Sequence, residues 1–153
     1  MRAFLVIGII GCCTMSSNAM QAQEYDSVKA VAYGADAYGM KQYVMAFLKS
    51  RPNTELSREE RAEVMQAHLA NILRLESEGL LVLAGPFLDE GPLRGIYIFN
   101  VASLEEAAAL TATDPAIQAG TLEMELHPWY GSAALLDLTK IHYTLARQSI
   151  VED

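Results

Sequence analysis

Hydrophobic residues along the chain form four short segments with the length and spacing of β-strands. Three segments are apolar at nearly every position, and the fourth alternates apolar with polar residues. Continuous apolar runs predict strands that are buried on both faces, whereas alternation predicts a strand with one buried face. The four predicted strands cover residues 42–50, 80–87, 96–101 and 122–130.

Helical spacing of apolar residues appears between these strands. Ser57 begins a capping box of the form Ser-x-x-Glu, and Ser103 begins another. They predict a helix over residues 57–78 and a second helix from 103 to 112 or 113. The first helix carries an apolar stripe with a period near 3.6, formed by Ala62, Met65, Leu69, Ile72, Leu73 and Leu75.

The predicted order of elements is β-α-β-β-α-β, the split βαβ pattern of ferredoxin-like α+β folds. Two helices then cover one face of an antiparallel four-stranded sheet. Strands that are apolar on both faces need a second cover. Either a C-terminal helix over residues 132–148 or a second subunit supplies it. We expect a homodimer, with the extra C-terminal helix closing one edge of the sheet.

The first 22 residues have the layout of a secretory signal peptide, with Arg2, an apolar run and then small residues. Cleavage after Ala19 or Ala22 predicts an exported, periplasmic protein. A second interpretation is a lipoprotein anchored through Cys12. Three parts would follow the leader: an extension over 23–40 with a short helix packed through its tyrosines, a domain over 41–131, and the C-terminal helix over 132–153.

Charge and composition exclude several classes of partner. The chain has 19 acidic and 11 basic residues. Such a chain is poorly suited to nucleic-acid phosphates or to an anionic membrane surface. Both cysteines lie in the predicted leader, the three histidines lie in different elements, and no nucleotide-binding motif is present. We expect no metal, no cofactor, no nucleic-acid partner, and no membrane contact beyond an anchor at Cys12.

His68 lies on or beside the apolar stripe of the first helix, three residues after Met65 and four before Ile72. Imidazole changes its charge near neutral pH, which suits general acid–base catalysis. The spacing fits equally a half-buried histidine that is bonded to a backbone carbonyl. On spacing alone, the structural interpretation is the better one.

Asp114 precedes Pro115, and this pair has the pattern of a helix N-cap followed by its first helical residue. Capping alone accounts for the aspartate locally. The fold adds a second interpretation, because its two helices lie side by side. The carboxylate of Asp114 would then hold the imidazole of His68 and support its charged form.

The polar side of the fourth strand provides another candidate surface, which carries His127 and Trp129 together with Glu123 and Glu125. One interpretation is a strand that faces solvent or a second subunit, with Trp129 as a packing anchor, and this is the preferred one. The other is a wall of a cavity between subunits that contacts substrate.

The segment "QAHLANILRLESEGLLVLAGPFLDEGPLRGIYIF", followed by "DPAIQAG" and "ELHPW", resembles the YCII-related domain family over about residues 40–130. The resemblance implies a dimeric α/β barrel on a ferredoxin-like fold. It also implies a His-Asp pair, which falls on His68 and Asp114, and a pocket near Gly85 and Pro86. The wider superfamily includes muconolactone isomerase-like enzymes and a dehydrochlorinase, which move protons without metal or organic cofactor.

Two functions follow from the residues and the resemblance together. The first is a cofactor-independent enzyme, lyase-like or isomerase-like, in which His68 moves a proton on a small organic substrate and Asp114 fixes the imidazole tautomer. Its substrate would be contacted by Gly85, Pro86, His127 and Trp129. The alternative is a non-catalytic periplasmic module that binds a small molecule.

Overall fold

A four-stranded antiparallel sheet forms the centre of the computed structural model, which describes residues 24–51 and 55–150. The strands are β1 (Met40–Ser50), β2 (Leu81–Pro86), β3 (Leu93–Phe99) and β4 (Leu122–Ser132). Their spatial order is β2-β3-β1-β4, so the long β1 pairs with both β3 and β4. This arrangement confirms the predicted ferredoxin-like α+β fold.

The helices begin at the caps that the sequence predicts. Helix α2 (Arg58–Ser77) and helix α3 (Leu104–Thr111) follow complete capping boxes at Ser57 and Ser103. The short helix α4 (Pro115–Gln118) connects α3 to β4. None of the helices in the described ranges is long and apolar enough to span a membrane.

The larger core lies between the sheet and its covering helices. Side chains of β1 and β3 meet Leu75 of α2 and Ala107 of α3 there, with Leu81 of β2 beside them. Removal of this apolar area from water is the main favourable term for the fold. The fully buried members on the two central strands include Val44, Ala46 and Phe99.

The buried face of α2 differs from the predicted stripe. The buried residues are His68, Asn71 and Leu75, whereas Met65 is 50% exposed. The helix is therefore turned so that two polar side chains face inward, where hydrogen bonds satisfy most of their polar atoms. The predicted stripe residues Met65, Leu69, Ile72 and Leu73 lie to one side of that face and line a groove.

The second face of the sheet is partly covered by the C-terminal segment. Leu135 and Leu136 pack against Tyr43, Val82 and Ile98 on this face. Farther along the same face, Met45, Phe47 and Ile96 remain only half-buried. The segment thus supplies part of the cover that the apolar strands require.

The predicted single helix over residues 132–148 is wrong in its continuity. The chain instead forms a 3-10 turn (Ala133–Asp137) and then helix α5 (Leu138–Leu145). The Ser132 side chain accepts from the Ala134 backbone N–H at the start of the turn. Helix α5 then contacts the edge strand β2, and its Tyr143 hydroxyl donates to Glu76 of α2 at 3.1 Å.

The N-terminal extension contains helix α1 (Ser27–Tyr33), which lies against the 3-10 turn. Only part of its predicted packing is found. Tyr33 is half-buried and its hydroxyl donates to Asp137, whereas Tyr25 and Tyr38 are 75% and 86% exposed. The predicted leader, with Cys12, Ala19 and Ala22, lies outside the described residues.

Candidate active site

His68 lies at the middle of α2, on the face that packs against the sheet. Its residue surface is 6% exposed, so the imidazole is almost fully removed from bulk water. A buried imidazole needs hydrogen-bond partners for both ring nitrogens. Those partners come from α4 and from β3, two elements that follow α2 in the chain.

Asp114 provides the partner for Nδ1 of His68. As the N-cap of α4, it accepts from the backbone N–H of Ala116 at 2.8 Å through Oδ1. Both of its carboxylate oxygens lie 2.9 Å from Nδ1 of His68. The aspartate is 1% exposed. The structure therefore brings the two predicted residues together, and Asp114 is a cap and the partner of the imidazole at once.

Tyr97 provides the partner for Nε2 of His68, and it is not among the site residues predicted from the sequence. Its hydroxyl lies 3.3 Å from Nε2, and the two rings are roughly parallel. The signal was present in the segment "IYIF", where a tyrosine on a central buried strand needs a polar partner. The segment does not show, however, which helix lies above it.

The protonation pattern of this triad follows from its charges. Burial, together with the negative charge of Asp114, raises the pKa of the Tyr97 hydroxyl well above its ordinary value. The tyrosine thus stays protonated and donates to Nε2. Because the Asp114 carboxylate accepts from Nδ1–H, the neutral imidazole carries its lone pair on Nε2. At 3.3 Å the Tyr97 bond is long, so that lone pair is only weakly engaged.

A polar network supports the corner that carries Asp114. The Arg74 guanidinium donates to Asn71 Oδ1 at 2.8 Å and to the Thr113 hydroxyl at 3.0 Å. Its other terminal nitrogen donates to both carboxylate oxygens of Glu78. Thr113 directly precedes Asp114, so Arg74 holds the backbone of Asp114 close to α2, the helix that also carries His68.

A groove of about 680 Å³ opens beside the triad. His68 and Tyr97 line it, as do Gly85 and Pro86 of the edge strand β2. Gly85 and Pro86, the predicted substrate contacts on β2, thus lie beside His68 in this groove. The volume lies in the range of pockets that hold drug-sized ligands.

His127 and Trp129 do not reach this groove. Both lie on the second face of the sheet, where His127 packs edge-on against Phe47 and Trp129 packs against Tyr43. The sheet separates them from His68 within the chain. Within one subunit the predicted contact of these two residues with the substrate of His68 is not found, and Trp129 contributes to packing through its ring contact with Tyr43.

Metal ligation finds no support in the described ranges, where no three side chains among His, Cys, Asp and Glu come together in a way that would hold a metal ion.

The chain is similar to known proteins. Residues 42–130 match the model of the YCII-related domain. A 67-residue segment is 34% identical to the uncharacterized protein YjpA of Bacillus subtilis (strain 168), and it covers 44% of this chain and 76% of that protein. A solved structure also aligns, that of 5-chloro-2-hydroxyhydroquinone dehydrochlorinase from Burkholderia phenoliruptrix AC1100 in complex with 2,5-dihydroxybenzoquinone. Its sequence identity is 23% and its TM-score 0.45, with 57% of this chain and 92% of that chain covered.

Proposed function

The chain belongs to the YCII-related domain family, and on that premise we propose that it is a cofactor-independent enzyme that moves a proton on a small organic substrate. The observation that carries the proposal is the pairing of Nδ1 of His68 with the Asp114 carboxylate beside the groove. Nδ1 lies 2.9 Å from Asp114, so the lone pair on Nε2 is directed toward Tyr97 at the groove. A positioned base of this kind accelerates proton transfer by roughly 10²–10⁴-fold.

The proposed step uses a substrate with a C–H bond next to a carbonyl group. Nε2 of His68 takes the proton as the C–H bond breaks. The electron pair of that bond forms a C=C bond to the carbonyl carbon, and the π pair of the C=O bond moves to the oxygen to give an enolate. The Tyr97 hydroxyl donates a hydrogen bond to that oxygen, and Asp114 stabilises the imidazolium. Return of the proton to a different carbon completes an isomerisation, and loss of a leaving group completes an elimination.

Proton–deuterium exchange tests this step without knowledge of the product. The protein is incubated with 2-decanone or cyclohex-2-enone in D₂O, and NMR follows the loss of the α-proton signals. We expect exchange above the buffer rate that His68→Asn abolishes. Exchange that is equally fast with His68→Asn would exclude His68 as the base.

A second candidate function is ligand binding without catalysis. The hydrogen bonding of His68 favours it, because both ring nitrogens lie within hydrogen-bond distance of partners in the same chain, Asp114 and Tyr97. In that case the triad only holds α2 on the sheet. Binding of 2-decanone to the wild type with no deuterium exchange, over a panel of ketones and phenols, supports this second function.

We also propose a homodimer formed through the second face of the sheet. The half-buried Met45, Phe47 and Ile96 on that face support it, because they form an apolar surface that the 3-10 turn leaves uncovered. Light scattering is expected to give twice the chain mass. Phe47→Glu should return the protein to a monomer.

Export to the periplasm remains a proposal that rests on the layout of residues 1–22. A fusion of residues 1–30 to a reporter that is active only outside the cytoplasm tests it. Recovery of the fusion protein in the membrane fraction would support the lipoprotein interpretation instead, in which Cys12 is the anchor.

A further inference from the structure

The groove beside His68 has a wall that lies outside the family domain. The matched domain ends at residue 130, whereas α5 (Leu138–Leu145) forms one side of the groove. Leu138, Ile141 and Leu145 line it from this side. They are 36%, 55% and 76% exposed, so α5 does not close onto the rest of the protein and the space between remains open.

The opposite wall is also apolar. Helix α2 contributes Met65, Leu69 and Ile72, and β2 contributes Leu81 and Leu83. Polar side chains line the groove at its borders. His68 and Tyr97 lie between α2 and the sheet, Glu76 lies on α2, where the Tyr143 hydroxyl donates to it, and Arg94 lies on β3. The C-terminal segment adds Thr139, His142, Gln148 and Ser149.

From this arrangement we infer that the C-terminal segment determines the substrate class, which is an elongated, uncharged, apolar molecule that carries one oxygen function. The oxygen lies at His68 and Tyr97, and the apolar body lies between α2 and α5. A charged body would have to leave water for a surface of aliphatic side chains, which is unfavourable. This inference rests on the proposed function only for the direction of the oxygen.

A homologous series measures the apolar contact directly. Ketones from 2-hexanone to 2-decanone compete with the neutral fluorescent probe N-phenyl-1-naphthylamine for the full-length protein. Each buried methylene is expected to raise affinity by about three- to fourfold. Affinity that does not depend on chain length overturns the inference. Decanoate is the test of charge: tighter binding of decanoate than of 2-decanone would mean that Arg94 at the groove recruits an anion.

Ile141→Glu tests the wall itself. Ile141 is half-exposed, so the substitution should not disturb the core, and probe affinity should fall about tenfold or more. Val31→Glu is the matched control, because Val31 is an exposed apolar residue on α1 that does not line the groove. Equal loss in both variants would indicate non-specific binding. A change of molecular mass in Ile141→Glu at unchanged probe affinity would make α5 an interface between copies.

Asp114→Asn separates this inference from the proposed function. Asp114 does not line the groove, so the variant should bind the probe within about twofold of the wild type while it loses deuterium exchange. Probe binding by the wild type without deuterium exchange would contradict the catalytic proposal but not the inferred ligand class. Deuterium exchange in the wild type, with no effect of Ile141→Glu on probe affinity, would support the catalytic proposal and contradict the inferred substrate class.

Discussion

Nδ1 of His68 lies 2.9 Å from both carboxylate oxygens of Asp114, although 46 residues separate the two in the chain. The pair exists because α4 begins beside the middle of α2. The same carboxylate also caps α4. A single residue therefore fixes the start of one helix and the tautomer of an imidazole on another.

Asp114→Asn should separate these two roles. Asparagine is as good an N-cap as aspartate, so α4 should persist, but the charge-assisted bond to His68 is lost. We expect unfolding in urea to show a loss of about 1.5–3 kcal/mol. The amide can donate to Nδ1, which leaves the proton of the imidazole on Nε2 and removes the base. Ring ¹⁵N shifts should report that tautomer, and a normal rate of deuterium exchange would contradict the prediction.

Tyr97→Phe should slow proton transfer with only a modest loss of stability. The hydroxyl donates to Nε2 of His68, and its removal leaves that nitrogen without this partner, at a cost of about 1 kcal/mol. Tyr43→Phe is the matched control. Tyr43 is equally buried, its hydroxyl donates to the Ser132 carbonyl at 3.0 Å, and it lies on the second face of the sheet. The control should lose similar stability and keep its exchange rate; equal slowing in both would argue against a role for Tyr97.

Arg74→Met should lower both stability and exchange rate. It removes the bonds to Asn71 and Thr113, which are expected to contribute about 0.5–1.5 kcal/mol each, and it frees the corner before Asp114. Glu78→Gln removes only the exposed ion pair of the same arginine, and such pairs contribute about 0–1 kcal/mol. Urea denaturation and exchange assays compare the two. If Glu78→Gln slowed deuterium exchange as much as Arg74→Met, the bonds of Arg74 to Asn71 and Thr113 would not be the contacts that support the exchange rate.

Gly95→Ala should destabilise the pairing of β2 with β3. A Cβ at Gly95 would lie 2.6 Å from the carbonyl oxygen of Gly85 and 3.2 Å from Cα of Pro86, and these backbone atoms have little freedom to move. We expect a loss of about 1–3 kcal/mol. Gly85→Ala is the control on the facing strand, where a Cβ meets nothing within 4 Å. Thermal unfolding should show that the stability of Gly85→Ala is close to that of the wild type.

Acid should detach the N-terminal extension before the domain unfolds. Bonds from Lys29 and Tyr33 hold the pKa of Asp137 below its ordinary value of 3.8, and bonds from Tyr130 and Met40 do the same for Asp36. These contacts favour the ionised forms. Their stabilisation is present above that ordinary value and is lost as pH falls through the lower values of the folded protein.

NMR amide shifts of Ala30 and Val31 should follow this detachment as the pH is lowered below 3.8. In Asp137→Asn the contact is weakened at every pH, so the corresponding shift changes should shrink. Shifts that stay constant to the point of global unfolding would show that other contacts hold α1 in place.

The sequence predicted the sheet and the caps because each has a local or topological signal, such as the capping boxes at Ser57 and Ser103. The His68–Asp114 pair came from the family resemblance, because the βαββαβ order only allows α4 to approach α2. The rotation of α2 had no such signal. Met65 and His68 are both compatible with the buried face, and only the partners of His68, which come from distant elements, decide between them.

The C-terminal segment was harder to predict for a related reason. Its apolar spacing fits one helix. In the structure, however, Leu135 and Leu136 pack on the second face of the sheet, whereas α5 packs against the edge strand β2. One straight helix cannot satisfy both contacts. Tyr97 was missed because its role depends on which side chain lies above it.

The ion pair between Lys29 of α1 and Asp137 of the 3-10 turn joins two segments that both lie outside the matched domain. A fragment cut at residues 42 and 130 would leave β2 as an open edge, which invites pairing with other molecules.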